Sequence, residues 1–212
     1  MSQARVHNLF VSLDGYAAGT SVTLERPIGG AGALFARFDG RFIHGLGVDA
    51  PLTVDRALTT LWGQQIGAEI MGRGKFGPQT GPWPQDGWIG WWGDEPPFGT
   101  PVFVLSHYPR EPIEFANGTS FTFLDASPAE ALRIARGAAD GKDVRIGGGP
   151  STVRQFLAAD LIDMMHLVTV PVVLGEGQPL WAGLGGIHER FQIEVIGSRD
   201  GITHQLWNRL AS

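Results

Sequence analysis

Alternating apolar and polar positions begin at residue 5. Leu9, Val11 and Leu13 fall on one face of an extended segment, and Val6, Asn8, Phe10 and Ser12 fall on the other. That pattern predicts a strand over 5–13, closed by the turn chemistry of Asp14-Gly15. Residues 17–52 are rich in glycine without a clear period and read as an extended excursion rather than a packed element. Thr53 then caps a predicted helix in which Val54, Ala57, Leu58 and Leu61 form one apolar stripe. Ala68 to Met71 is a short strand broken at Gly72. The 27 residues from 73 to 99 hold five prolines, seven glycines and Trp83, Trp88, Trp91 and Trp92, so 77–99 reads as a Trp/Pro-rich loop. Residues 101–105 and 120–124 are two more strands, and Ser127-Pro128-Ala129-Glu130 starts a helix with a capping box and proline at the first helical position. Residues 143–146 form a short strand, Gly147-Gly148-Gly149 a turn, and Pro150 opens a helix with Val153, Phe156 and Leu157 on one face. The apolar run from Leu161 to Leu174, interrupted by Pro171, predicts a buried strand that bends near its end. The last 25 residues predict a hairpin: Phe191, Ile193 and Val195 alternate before Asp200-Gly201, and Ile202, His204 and Leu206 alternate after it.

Strands alternating with helices through the middle, then a hairpin, predict an α/β fold. We expect a single domain over 1–212 with a central, mostly parallel sheet, an antiparallel C-terminal hairpin and helices on both faces. Sixteen Lys and Arg against 21 Asp and Glu give a net charge of −5 with no run of five like charges, which argues against a nucleic-acid backbone and for a small-molecule partner. The absence of cysteine excludes disulfides, thiol nucleophiles and Cys-based metal or cluster sites, and suits a reducing compartment. No window approaches the roughly 18 apolar residues of a membrane span, and no charged start leads into an apolar stretch, so the expectation is a soluble, cytoplasmic protein without a membrane partner. Asn117-Gly118-Thr119 matches a glycosylation sequon and reads here as an Asn-Gly turn before a strand.

The glycine triplet follows a strand and opens a helix, where backbone N–H groups and the helix dipole favour a phosphate. It equally reads as a tight turn, and with Thr152 in place of a third spaced glycine it fails the Rossmann fingerprint. Gly72-Arg73-Gly74-Lys75 places two cations after a strand, fit to grip a phosphate monoester or simply to stand in solvent. Ser106-His107 closes another strand with a hydroxyl and a ring. Asp14 is placed to bond an amino-substituted heterocycle or to shape its own turn. The tryptophan loop either paves a flat pocket or seals a core edge. The six histidines, at 7, 44, 107, 166, 188 and 204, lack metal-ligand spacing, and neither a nucleophile elbow nor a complete P-loop occurs.

In order along the chain, Ser12-Leu13-Asp14-Gly15, Met71-Gly72-Arg73, Val104-Leu105-Ser106-His107, Ile146-Gly147-Gly148-Gly149, Leu161-Ile162-Asp163 and Pro171-Val172-Val173-Leu174-Gly175 resemble the successive motifs of one family. It is the dihydrofolate-reductase-like group, on the branch near the reductase domain of the riboflavin-biosynthesis bifunctional deaminase/reductase. The resemblance implies a dihydrofolate-reductase-like sheet that binds NADPH across the carboxyl ends of its strands. It places Gly147, Gly148 and Gly149 around the pyrophosphate, with Ser151 and Thr152 adding hydroxyls. Gly72 and Arg73, joined by Lys75, lie at the adenosine phosphate, and Ser106 and His107 along the adenosine. Leu174 and Gly175 lie toward the nicotinamide, and Asp14 faces the substrate. Lys75 departs from the family, which carries Thr or Ser there. The implied activity is hydride transfer to a pterin- or pyrimidine-like heterocycle or a carbonyl. The alternatives are a non-catalytic nucleotide- or pterin-binding protein and a flavin-type cofactor. A homodimer formed through the late strands is also implied.

Overall fold

The computed structural model describes residues 2–36, 38, 52–84 and 87–211. Nine strands form one sheet: β1 (Ala4–Ser12), β3 (Ile66–Gly72), β4 (Pro101–Leu105), β5 (Ile113–Glu114), β6 (Ser120–Leu124), β7 (Asp143–Ile146), β8 (Met164–Val170), β10 (Phe191–Gly197) and β11 (Thr203–Arg209), ordered β10-β11-β8-β1-β7-β3-β4-β6-β5. The six strands from β8 to β6 run parallel, while β11, β10 and β5 run against their neighbours. A separate pair, β2 (Tyr16–Ala18) with β9 (Gln178–Pro179), ties the chain leaving β1 to the chain leaving β8. The α/β fold, the largely parallel sheet and the antiparallel hairpin are those expected from the sequence.

Helices α3 (Pro128–Ala138) and α4 (Pro150–Ala158) cover one face of the sheet, where Ala131, Leu132, Val153 and Phe156 pack on Ala68, Ile70, Val144 and Ile146. Ser127 caps α3 by accepting the Glu130 N–H, and proline leads both helices, as the capping signals require. The opposite face carries α1 (Val54–Thr59), α2 (Arg73–Phe76) and loops. Its apolar cover comes in two patches. Phe10, Val168, Val170 and Ile202 meet Ala31, Leu34 and Phe38 at one end. Met71, Val102, Val104 and Phe121 meet Phe76 and the tryptophan loop at the other.

Four expectations change. In β1 the pairing with β8 slips by one residue between Val6 and Leu9, and Asn8 takes a left-handed φ of 53°. This bulge reverses the alternation, so Val6 shares the helical face with Leu9 and Val11, while Phe10 lies opposite and Leu13 is 62% exposed. The helix after Thr53 has only six residues, and its apolar stripe is not its buried face: Val54 and Ala57 are exposed and Thr59 is buried. Its contact with β1 is polar instead, because the Asn8 amide donates to the Thr59 carbonyl at 2.8 Å. The Leu161–Leu174 run yields a strand only from Met164 to Val170, since Pro171 cannot continue the ladder. The Gly-rich segment 17–52 is largely exposed over 20–27 but packs on the sheet through Ala31, Leu34 and Phe38; residues 37 and 39–51, His44 among them, lie outside the described residues.

Candidate functional site

Five parallel strands in a row bring the scattered motifs to one edge of the sheet. Across β8, β1, β7, β3 and β4, the segments that follow their carboxyl ends carry Leu174-Gly175, Asp14, Gly147 to Gly149, Gly72 to Lys75 and Ser106-His107 in that spatial order. Positions up to 161 residues apart in sequence thereby meet. This is where an open α/β sheet binds its ligands.

The three central segments are interlocked. The Gly72 N–H donates to Gly148 O at 2.9 Å, and the Gly147 N–H donates to Ile70 O at 2.8 Å. A Cβ on Gly72 would collide with the Thr152 hydroxyl. The glycines of the triplet differ in what a side chain would meet. A Cβ on Gly147 would strike the Glu69 carboxylate, Gly148 has a φ of +100° that disfavours any side chain, and Gly149 has open space where a Cβ would stand. Gly149 also begins α4 without a side-chain cap; Pro150 has no N–H and the Thr152 N–H donates to Gly149 O at 3.0 Å, so among the first N–H groups of that helix it is Ser151's that remains for an anion. Ser151 is partly exposed beside them, whereas Thr152 is buried.

Arg73 opens α2. Its Nε, Nη1 and Nη2 are buried and have no hydrogen-bond partner among the described residues. The guanidinium instead lies against the Trp83 ring, 3.8 Å from the centroid, with the Tyr108 ring at 5.3 Å. Stacking satisfies the cation's charge in part but none of its donors. The tryptophan loop thus seals a core edge, with Trp83, Trp88 and Trp92 packed on that patch, and covers Arg73 as well; residues 85 and 86 lie outside the described residues.

Lys75 is used differently from its neighbour. Its ammonium donates to Glu69 Oε1 at 3.0 Å and to Gly147 O at 2.7 Å. Glu69, 2% exposed, also pairs with Arg145. Ser106 spends its hydroxyl on its own turn, accepting the Tyr108 N–H at 3.1 Å, and His107 is 91% exposed and paired with Asp125 at 2.8 Å.

Asp14 binds the loop after β8: its two carboxylate oxygens accept the N–H groups of Leu174 at 3.1 Å and Gly175 at 2.7 Å. The Ser12 hydroxyl first, and then those two N–H groups, hold its carboxyl below the ordinary carboxylate range, so it stays ionised. Beside it opens a cleft of about 390 Å³ lined by Ser12, Asp14, Thr169, Trp181 and Gln205. A second cleft, of about 440 Å³, lies between Thr53, Asp55, Ser198 and Arg199 and holds none of the motif residues.

Sequence reading passed over Glu69 and Arg145. The signal was present: each is a charge at the inward position of an otherwise apolar buried strand, where ions survive only as partners. It also passed over Trp83 as the cover of Arg73, which no spacing reveals.

A family model, that of the RibD C-terminal domain, matches residues 6–200. An uncharacterised protein of Bacillus subtilis, YyaP, is 36% identical over 59 residues, which make up 28% of this chain and 30% of that protein. Among solved structures, a putative riboflavin biosynthesis protein from Shewanella sp. PV-4 superposes with a TM-score of 0.58 at 21% identity, covering 100% of both chains. A pyrimidine reductase-like protein from Corynebacterium diphtheriae gives 0.54 at 16% identity, over 100% of this chain and 93% of that one. A deaminase/reductase from Thermotoga maritima gives 0.54 at 15% identity, where the likeness spans 99% of this chain and 57% of that one. At these identities the likeness to the solved structures is one of fold.

Proposed function

The chain belongs to the family of the RibD C-terminal domain, and on that premise we propose that it is a cytoplasmic NADPH-dependent reductase of a small pterin- or pyrimidine-like heterocycle or a carbonyl compound. The observation that carries this reading is the Arg73 guanidinium, whose three buried nitrogens have no hydrogen-bond partner among the described residues, close to a helix start that leaves the Ser151 N–H unengaged there. A buried cation with unmet donors is costly unless an anion completes it. Two anion sites side by side, one a guanidinium and one a helix N-terminus with an open Gly149, fit a phosphate monoester and a pyrophosphate on the same molecule.

When bound, the dihydronicotinamide supplies the hydride, and the protein supplies place and orientation. Arg73 would hold the monoester. Gly149 and Ser151 would receive the pyrophosphate, and the Leu174-Gly175 backbone, fixed by Asp14, would border the nicotinamide end. Asp14 remains an acceptor in this scheme, so the substrate's proton comes from water rather than from its carboxyl. We further propose a homodimer through the late strands, where the edge strand β10 leaves Val195 64% exposed.

Titration with NADPH and NADH tests the assignment. Arg73→Ala is expected to weaken NADPH binding by about 10- to 100-fold, the worth of a charge-assisted phosphate contact, and to leave NADH binding nearly unchanged. Equal affinities of the variant and the parent for NADPH would remove Arg73 from the site. NADPH binding without oxidation by any pterin, pyrimidine or carbonyl compound would support the non-catalytic reading, which the engaged oxygens of Asp14 favour. Binding of a flavin in preference to either nicotinamide would replace the cofactor.

A further inference from the structure

Lys75 stands two residues after Arg73 and carries the same charge, yet its ammonium points into the molecule. Glu69 and Arg145 are directly paired neighbours on β3 and β7, and both face away from α3 and α4. Arg145 takes one oxygen of Glu69, and Lys75 takes the other at 3.0 Å. A second N–H of the Lys75 ammonium goes to Gly147 O at 2.7 Å. Gly147 is therefore gripped on every side: its N–H by Ile70 O, its carbonyl by Lys75 and its Cα by the Glu69 carboxylate. A trans peptide is planar, with C=O and N–H pointing in opposite directions. A Gly147 carbonyl drawn toward Lys75 thus aims the Gly148 N–H away from the ionic cluster. Gly148, at a φ of +100°, then carries the chain toward Gly149 and the start of α4.

We propose that Lys75 is a positioning residue of the dinucleotide site, acting through the Gly147 carbonyl to set the direction in which the glycine turn presents the Gly148 N–H to a pyrophosphate. The assignment rests on the dinucleotide reading above. It differs from a direct phosphate contact, because two of the ammonium's three N–H groups already go to a carboxylate and a carbonyl. It also gives the Lys at this position a reason: a shorter hydroxyl side chain at residue 75 lacks the reach to join Glu69 to Gly147.

The test uses the full chain with Lys75→Met, Lys75→Arg and Glu69→Gln, and three probes: NADPH, ADP, which carries a pyrophosphate but no 2′-phosphate, and adenosine 2′-monophosphate, which carries the monoester but no pyrophosphate. For Lys75→Met, affinity for ADP and NADPH is expected to fall about tenfold, the worth of the lost preorganisation, while affinity for the monoester stays within about twofold. Amide exchange at Gly148 in the ligand-free protein is expected to accelerate about tenfold. Lys75→Arg, which keeps a donor, is expected to recover most of the loss. Glu69→Gln, of equal size, is expected to show the same split in smaller measure, and it decides the matter if Lys75→Met does not fold. A wild type that binds neither NADPH nor ADP overturns the dinucleotide reading and this assignment together. A wild type that binds both, beside a Lys75→Met that binds ADP equally well or exchanges Gly148 at the parent rate, overturns the assignment alone. Parallel losses for ADP and the monoester also overturn it.

Discussion

The two faces of the central sheet are covered by different chemistry. On the side of α3 and α4 one continuous apolar cluster runs from Ala4 and Val6 through Ile70 and Phe156 to Phe191 and Trp207. On the other side the apolar cover is split into two patches, and the strip between them is ionic and aromatic-nitrogen chemistry. Glu69, Arg145 and Lys75 lie toward one patch, and His7, His166 and His204 toward the other. A line of contacts joins Asn8, His166, His204 and Asp55 at 3.1, 2.9 and 2.8 Å. The helical face holds the fold by area removed from water. The second face spends buried polar groups on fixing directions, of the glycine turn at one end and of the β1 bulge at the other. Its partners are specific, and so is its vulnerability.

Acid should break the second face first. Burial, helped by Arg5 for one ring and by His204 for the other, lowers the pKa values of His7 and His166 from 6.5 to about 3. Between those values the unfolded chain takes up protons that the native rings refuse, so stability is complete above pH 6.5 and falls as the pH drops toward 3. At about 1.4 kcal/mol per pH unit for each ring, the loss is on the order of 4 kcal/mol between about pH 7 and about pH 5. Urea unfolding across that range measures it, and a flat profile would refute the assignment of neutral buried rings. The helical face answers to volume instead. Phe156, fully buried in α4, is expected to cost about 3 kcal/mol when replaced by Ala, with NADPH affinity at saturating folded protein unchanged. Chemical denaturation and titration of the same sample separate the two effects. The smallest effect on stability is expected where the helical face runs past its cover, at Val195 on β10. There Val195→Lys should change unfolding by no more than about 0.5 kcal/mol and convert the proposed dimer to a monomer in size-exclusion chromatography.

The same division governs how much could be read from the sequence. The helical face was legible because hydrophobic burial is periodic: Val153, Phe156 and Leu157 announce α4, and Ser127 with Glu130 announces α3. The edge that gathers the motifs was legible in part, since glycine turns and strand ends leave marks of composition. The function of each residue there was less visible. Arg73 and Lys75 look alike on paper, and only their three-dimensional partners divide them into an open cation and a committed one. Glu69 and Arg145 lie 76 positions apart, too far for any local pattern to pair them. The bulge at Asn8 escaped because one inserted residue leaves composition unchanged while inverting every assignment on one side of it.

That inverted phase sets a rule for the length of β1. The strand is two segments written in opposite frames, joined at Asn8, and residues 4–7 are correct only because an extra residue follows them. Substitution at Asn8 tests a hydrogen bond, whereas deletion at Asn8 turns Ala4 and Val6 toward the ionic strip and Arg5 and His7 toward the helices. Any working sequence of this fold that lacks the extra residue must therefore carry the polar-apolar order of its first four strand residues reversed. The grammar of the strand, more than any one side chain in it, is what the far edge with its gathered motifs depends on.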